Sequence, residues 1–167
     1  MINIKDIISS KNLFLIAGPC VIESKESCFE IAEKIKEITT RIGINFIFKA
    51  SYQKANRSKL NSFSGPGLED GLAILKEIRD CLNIPITTDV HSTDDIEKVK
   101  KIIDIIQIPA FLCRQTDLLV TAAKTKKYIN VKKGPFLSGD ACQFIVQKIK
   151  NSGNDNTIIT ERGNSFG

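Results

Sequence analysis

The stretch DIIQIPAFLCRQTDLLVTAAKTKKYINVK, residues 104–132, contains one complete structural period of this chain. Its first run, 104–108, carries three isoleucines without strict alternation, as expected of a strand covered on both faces. Thr116 then stands where a helix N-cap belongs, and a helical pattern follows it. A second β-branched run, 129–132, closes the stretch on a lysine. The same run-then-helix order recurs on both sides, with runs at 13–17, 46–50, 85–89 and 157–160. Every run but the last is followed by a helical pattern, so the order is βα five times and then a sixth strand.

The helices carry their own signals. Cys28, Ile31, Ile35, Ile38 and Ile42 predict one apolar stripe on the first, with Gly43 where a helix stops. Leu68, Leu72, Leu75, Ile78 and Leu82 do the same for the second. Ser92 with Asp95 reads as a capping box opening a third helix that bears Ile96, Val99 and Ile103, and Thr116 and Ser138 are the expected N-caps of the fourth and fifth. The glycine-rich stretch 62–67 is a short loop, and its spacing matches no phosphate-cradling glycine fingerprint.

Alternating βα units with near-continuous apolar strands predict a parallel sheet covered by helices. The strand ends choose between an open sheet and a closed (β/α)8 TIM barrel. Nearly all end in polar chemistry: Gly18-Pro19-Cys20, Lys49 and Ser51, Asp89, Gln107, Lys132, then Glu161 and Arg162. A barrel gathers such ends into one ring, whereas an open sheet concentrates its ligand groups at a switch point. The reading is therefore α/β, of the (β/α)8 barrel family, with residues 1–167 a single incomplete barrel domain. Strand starts recur about every 29 residues, so two more units are needed for the roughly 250 residues typical of that fold.

With 42% hydrophobic and 26% charged residues, the chain has enough apolar content for a real core, which excludes disorder. The excess of 24 Lys+Arg over 19 Asp+Glu is modest and spread along helical faces, which argues against nucleic acid as a partner. No stretch approaches a membrane span and the N-terminus lacks signal-peptide order, giving a cytoplasmic expectation. Five scattered cysteines without a CxxC pair indicate neither a disulfide framework nor a self-contained zinc knot.

The chemistry-bearing cluster is FKASYQKANRS, residues 48–58, where Lys49, Lys54 and Arg57 are interleaved with Ser51, Gln53, Asn56 and Ser58. Permanent cations mixed with small hydroxyl and amide donors suit a ligand with more than one anionic group, because charge-assisted hydrogen bonds are about twice as strong as neutral ones. Lys49 ends an apolar run, so its ammonium meets either a ligand mouth or a carboxylate such as Asp89 or Glu23. Lys132 repeats that pattern on another strand, and Arg162 offers a fork after the last. Cys20 reads, on its residues alone, as a small buried thiol in preference to a soft metal ligand, and His91 as a structural donor.

Several segments together resemble one family. IAGPCVIES at 16–24, FKASYQKANRS at 48–58, GPGLEDG at 65–71, TTDVH at 87–91, IIQIPAFLCRQTDLL at 105–119, INVKKG at 129–134 and TERGNSFG at 160–167 resemble the 3-deoxy-D-manno-octulosonate 8-phosphate synthase family along essentially the whole chain. The related heptulosonate 7-phosphate synthases share the GPC opening, but KANRS and AFLCRQTDLL are similar to the octulosonate enzymes.

The resemblance implies a transferase of lipopolysaccharide biosynthesis that condenses phosphoenolpyruvate with D-arabinose 5-phosphate and water. It implies catalytic roles for Lys49, Asp89 and Lys132. Ser51, Lys54 and Arg162 would help hold phosphoenolpyruvate, and Arg57 and Ser58 the sugar phosphate. Asn56, Gln107, Ala110 and Phe111 would line the substrates, with Arg114 reaching in from a neighbouring subunit of a homo-oligomer, a tetramer by the resemblance. Cys in the GPC position is similar to the metal-dependent branch, which implies a divalent metal on Cys20; the companion His, Glu and Asp belong to later strands, and His91 is not in a matching position. Pro135 stands where the family's VKKGQF run has glutamine. The alternatives are a remnant that only binds sugar or enol phosphates and a related heptulosonate 7-phosphate synthase.

Overall fold

A computed structural model describes residues 4–10 and 12–165. The chain separates into two compact units, one of Met1–Thr88 with Ile102–Asp104, the other of Asp89–Lys101 with Ile105–Gly167. The last two residues of the TERGNSFG segment and the first three of the chain lie outside the described residues.

In the first unit α1 (Ile4–Ser9) precedes β1 (Phe14–Ala17), α2 (Lys25–Arg41), β2 (Asn45–Lys49), α3 (Leu68–Leu82) and β3 (Ile86–Asp89), whose final residue begins the second unit. Sequence reading did not find α1, a single polar-faced turn and a half with only Ile7 buried. β1 and β2 run parallel with Phe14 opposite Asn45 and Ala17 opposite Phe48; β2 and β3 run parallel with Lys49 opposite Thr87. The core is Ile47, Phe48, Leu75, Ile78, Cys28 and Ala32, all but removed from water. Asp104 ties the return chain to β3 at both main-chain groups of Ile86, its amide donating to the Ile86 carbonyl and its carboxylate accepting from the Ile86 amide at 2.8 Å.

The termini of α2 show why it has this length. Ser24 Oγ accepts from the Ser27 amide at 3.1 Å, a cap worth about 1 kcal/mol. At the other end Gly43 adopts φ 70° while its amide bonds Thr40 O and the Ile44 amide bonds Thr39 O, so the two crossed bonds of a Schellman stop form on the expected glycine. The predicted stripe is only partly buried. Cys28 is in the core, but Ile38 and Ile42 are exposed and, with Leu13, Leu15 and Ile35, line an apolar groove of about 300 Å³. That end of α2 and the start of β1 line the groove together, and the described pairing of β1 within the unit is with β2 alone.

The second unit contains α4 (Thr93–Val99), β4 (Ile105–Ile108), a 3-10 turn at Ala110–Leu112, α5 (Thr116–Lys124), β5 (Tyr128–Lys132), α6 (Cys142–Asn151) and β6 (Thr157–Thr160). β4, β5 and β6 are parallel neighbours, with Gln107 opposite Asn130 and Lys132 opposite Thr160. Ile105, Ile106, Leu119, Ala122, Ile129, Val131 and Ile149 form its core. Ser92 caps α4 through the Asp95 amide at 3.2 Å as expected; the Asp95 carboxylate, however, reaches the His91 amide, one residue before the cap. Thr116 is the first helical residue of α5 and Gln115 occupies the cap, while the Thr116 hydroxyl accepts from Lys148 Nζ at 2.8 Å. Ser138 caps a turn ahead of α6 by accepting from Ala141 N, and Ala141 itself holds the N-cap position.

Both units are built of βα repeats with parallel strands in chain order. The fold is α/β, of the (β/α)8 barrel family, with six of the eight strands. No helix among the described residues is long and apolar enough to cross a membrane.

Candidate functional site

In the first unit the site begins at the C-terminal end of β2. Lys49, the last strand residue, donates through Nζ to Ser51 Oγ at 2.7 Å and to the Cys20 carbonyl at 3.4 Å. Lys54 Nζ donates to the same Ser51 oxygen at 2.9 Å. Ser51 is fully buried, so two ammonium groups are gathered on one small neutral atom. Two unit charges this close repel by on the order of 3 kcal/mol at an effective dielectric of about 20, and an anion placed between them reverses the sign of that term.

The backbone around these lysines is held by close approaches that only glycine permits. A Cβ on Gly18 would lie 2.1 Å from the Lys49 carbonyl oxygen, so the GPC glycine lets the end of β1 press against the residue that carries the lysine. On the other side, a Cβ on Gly65 would meet Tyr52 O at 2.4 Å and one on Gly71 would meet Tyr52 Cβ at 2.4 Å. The GPGLEDG segment is therefore a packing surface for the chain between Ser51 and Lys54. Ile22 N to Ser51 O, Lys54 N to Ser64 O and Gly67 N to Tyr52 O complete the frame.

Beside this pair opens a cleft of about 530 Å³ lined by Cys20, Lys54, Asn56, Arg57, Ser58, Lys59 and Ser62. Arg57 is exposed, its Nε donating to Phe63 O at 3.1 Å, which fixes the plane of the fork. The structure thus gathers Lys54, Asn56, Arg57 and Ser58 as the sequence reading expects, and adds Lys59 and Ser62. Cys20 departs from the reading of its residues alone: the thiol is exposed on this cleft and not buried. The buried positions after β1 go instead to Val21 and Ile22, the next two residues.

In the second unit the polar residues form a ladder across β4, β5 and β6. Asn130 Nδ2 donates to Gln107 Oε1 at 3.4 Å, and Thr160 Oγ1 donates to Asn130 Oδ1 at 2.7 Å. Gln107 and Asn130 are buried, and strand alternation puts Asn130 and Lys132 on one face. Asn130 and Thr160 were missed in the sequence, although their parity with Lys132 and Arg162 was the available signal. Asp89, nearly buried, stands 3.3 Å from His91 Nε2. Ala110 is buried in the 3-10 turn, while Phe111 and Arg114 are exposed there.

The segment after β6 folds on a carboxylate. Glu161 Oε1 accepts from the amides of Gly163 at 2.6 Å and Arg162 at 2.8 Å. The Gly163 N–H, then the Arg162 N–H and the Lys133 ammonium, hold this carboxyl below the usual glutamate range. Pro135 lacks an amide, yet its carbonyl accepts from Ser165 N at 3.0 Å.

A metal needs three or four protein ligands. Among the described residues no group of three or more His, Cys, Asp and Glu side chains could hold one, so Cys20 and its surroundings do not by themselves fit a metal centre. All five cysteines are free thiols.

Fold and strand-end cations together define a barrel-class chain with a cation-lined cleft, and the chain belongs to the DAHP synthetase I family, whose model matches residues 2–167. Three relatives place it more closely. It is 53% identical over 165 residues to the 2-dehydro-3-deoxyphosphooctonate aldolase of Koribacter versatilis (strain Ellin345), covering 98% of this chain and 59% of the relative. The enzymes of that name from Trichlorobacter lovleyi and Fusobacterium nucleatum are 52% and 53% identical over 93% and 94% of this chain, which covers 57% and 56% of them. The chain therefore spans less than two thirds of the length of these relatives. The octulosonate resemblance seen in the sequence segments agrees with the name these relatives carry.

Proposed function

We propose that the chain serves the condensation of phosphoenolpyruvate with D-arabinose 5-phosphate and water to 3-deoxy-D-manno-octulosonate 8-phosphate and phosphate, a cytoplasmic step of lipopolysaccharide synthesis. The observation that carries the reading is the convergence of Lys49 and Lys54 on Ser51 Oγ beside a cleft holding Arg57 and Ser58. In this reading Lys49, Ser51 and Lys54 compensate an anionic group of phosphoenolpyruvate, and Arg57 and Ser58 grip the phosphate of the sugar. Lys132 and Arg162 likewise meet an oxyanion of the enol phosphate, Gln107, Asn56, Ala110 and Phe111 line the substrates, and Asp89 sits at the sugar. Carbon 3 of phosphoenolpyruvate adds to the aldehyde, water adds at carbon 2, and the C–O bond to phosphate breaks. What this chain supplies is positioning and charge compensation for two polyanions that repel each other.

The reading also takes the chain as one incomplete barrel domain acting in a homo-oligomer, a tetramer, with Arg114 contributed across subunits. Cys20 would give one thiolate to a divalent metal, and no step above passes through that metal.

Calorimetry with each substrate, followed by phosphate release with both, tests the reading. Both substrates should bind, with Arg57→Ala weakening arabinose 5-phosphate more than phosphoenolpyruvate and Lys49→Ala doing the reverse. Absence of binding by either substrate would overturn it. Binding without turnover would select the binding-only reading.

A further inference from the structure

We propose that Lys133 is a positioning residue that locks the Arg162-bearing segment after β6 onto the end of β5, where Lys132 stands. The two lysines are neighbours with opposite fates. Lys132 ends the strand and is half-buried, while the Lys133 side chain is 1% exposed. Its Nζ donates to Leu137 O at 3.0 Å, Gly163 O at 2.9 Å and Asn164 Oδ1 at 2.5 Å, which uses all three hydrogens of an ammonium. Glu161 Oε1 lies 3.4 Å away and supplies the opposite charge.

These contacts take hold of the segment at every position around Arg162. Glu161 is reached by the ammonium, Gly163 by its carbonyl and Asn164 by its side chain. The main chain adds Lys133 N to Thr160 O and Ser165 N to Pro135 O on either side. An apolar residue of similar volume would avoid the desolvation of a buried charge. A three-donor cation, though, joins acceptors from the 133–137 turn and the 161–165 segment at one point, which an apolar residue cannot do. The result is a fixed distance between the backbone that carries Lys132 and the backbone that carries Arg162, as an oxyanion held by both side chains requires.

The inference rests on the proposal that Lys132 and Arg162 bind an oxyanion, and the experiment separates the two. Amide exchange and calorimetric phosphoenolpyruvate binding are measured on the chain and on Lys133→Met, Asn164→Ala, Arg162→Ala and the double variants with Arg162→Ala. Lys133→Met should speed exchange at Arg162 and Gly163 by about tenfold and weaken binding by about tenfold, with exchange at Ile129 and Val131 unchanged. Asn164→Ala, on the exposed side, should do the same to a smaller degree and carries the test if Lys133→Met does not fold. In the Arg162→Ala background neither change should weaken binding further, a non-additivity that a purely structural role would not produce. Additive losses, or a loosened segment with unchanged affinity while Arg162→Ala weakens it, would overturn the proposal. If Arg162→Ala leaves binding untouched, the oxyanion reading of Arg162 falls; unchanged exchange in Lys133→Met and Asn164→Ala would overturn the clamp independently.

Discussion

Gly18 shows how much one residue can determine at this site. Its missing side chain leaves room for the Lys49 carbonyl, which a Cβ would meet at 2.1 Å, and the obstacle is backbone that cannot swing aside. Gly18→Ala should therefore cost roughly 1–3 kcal/mol through overpacking and also weaken phosphoenolpyruvate binding by displacing Lys49, read by denaturant unfolding and calorimetry. The thiols permit a second residue-level prediction. Cys20 and Cys81 are exposed, whereas Cys28, Cys113 and Cys142 are buried. Burial pushes the Cys28 and Cys113 thiols up, away from the reactive thiolate. An aromatic disulfide reagent should titrate two thiols quickly and the other three only on unfolding. Slow reaction of Cys20, with saturating phosphoenolpyruvate leaving it unchanged, would contradict its place on the cleft.

Among the elements, the segment after β6 should respond to pH in one direction. The Glu161 carboxyl is held below its ordinary value by the Gly163 amide and its neighbours. Its contribution to local order is therefore complete above the ordinary glutamate range, about pH 4.3, and is lost as pH falls through the lower folded value. The Gly163 amide resonance should move in a single step below the usual glutamate range. Glu161→Gln should abolish that step. On α2, Ile42 and Leu13 present apolar surface with no described cover, and a strand edge next to such surface invites association. Leu13→Lys with Ile42→Lys should reduce concentration-dependent light scattering while leaving the far-UV helical signal intact; loss of that signal would show that the groove belongs to the unit's core. Sequence periodicity could place Ile38 and Ile42 on the stripe of Cys28, but it could not show that β2 is the one strand paired with β1 among the described residues.

For the molecule as a whole, the six strands were readable because each is an apolar run between a turn and a helix, and their ends differ from the structure by at most a residue. β2 starts at Asn45, for instance, through pairing with Phe14 and not through hydrophobicity. The cations at strand ends were readable for the same reason, since a lysine closing a buried run has few other uses. What could not be read was which of two adjacent lysines turns inward at β5. That depends on acceptors at Gly163 and Asn164, thirty residues on, which no local pattern announces. A like argument governs activity. The cleft residues lie within this chain, whereas the curated relatives extend over a length of which it covers 59%, 57% and 56%. If catalysis needs groups from that further length while the anion contacts do not, affinity and turnover should separate. Substituting this chain for the 165 aligned residues of the Koribacter versatilis relative, so that the relative's remaining length is added, should then raise phosphate release from phosphoenolpyruvate and arabinose 5-phosphate by orders of magnitude over the chain alone, while phosphoenolpyruvate affinity changes by less than about tenfold. Equal turnover with and without the added portion would show that the groups described here suffice.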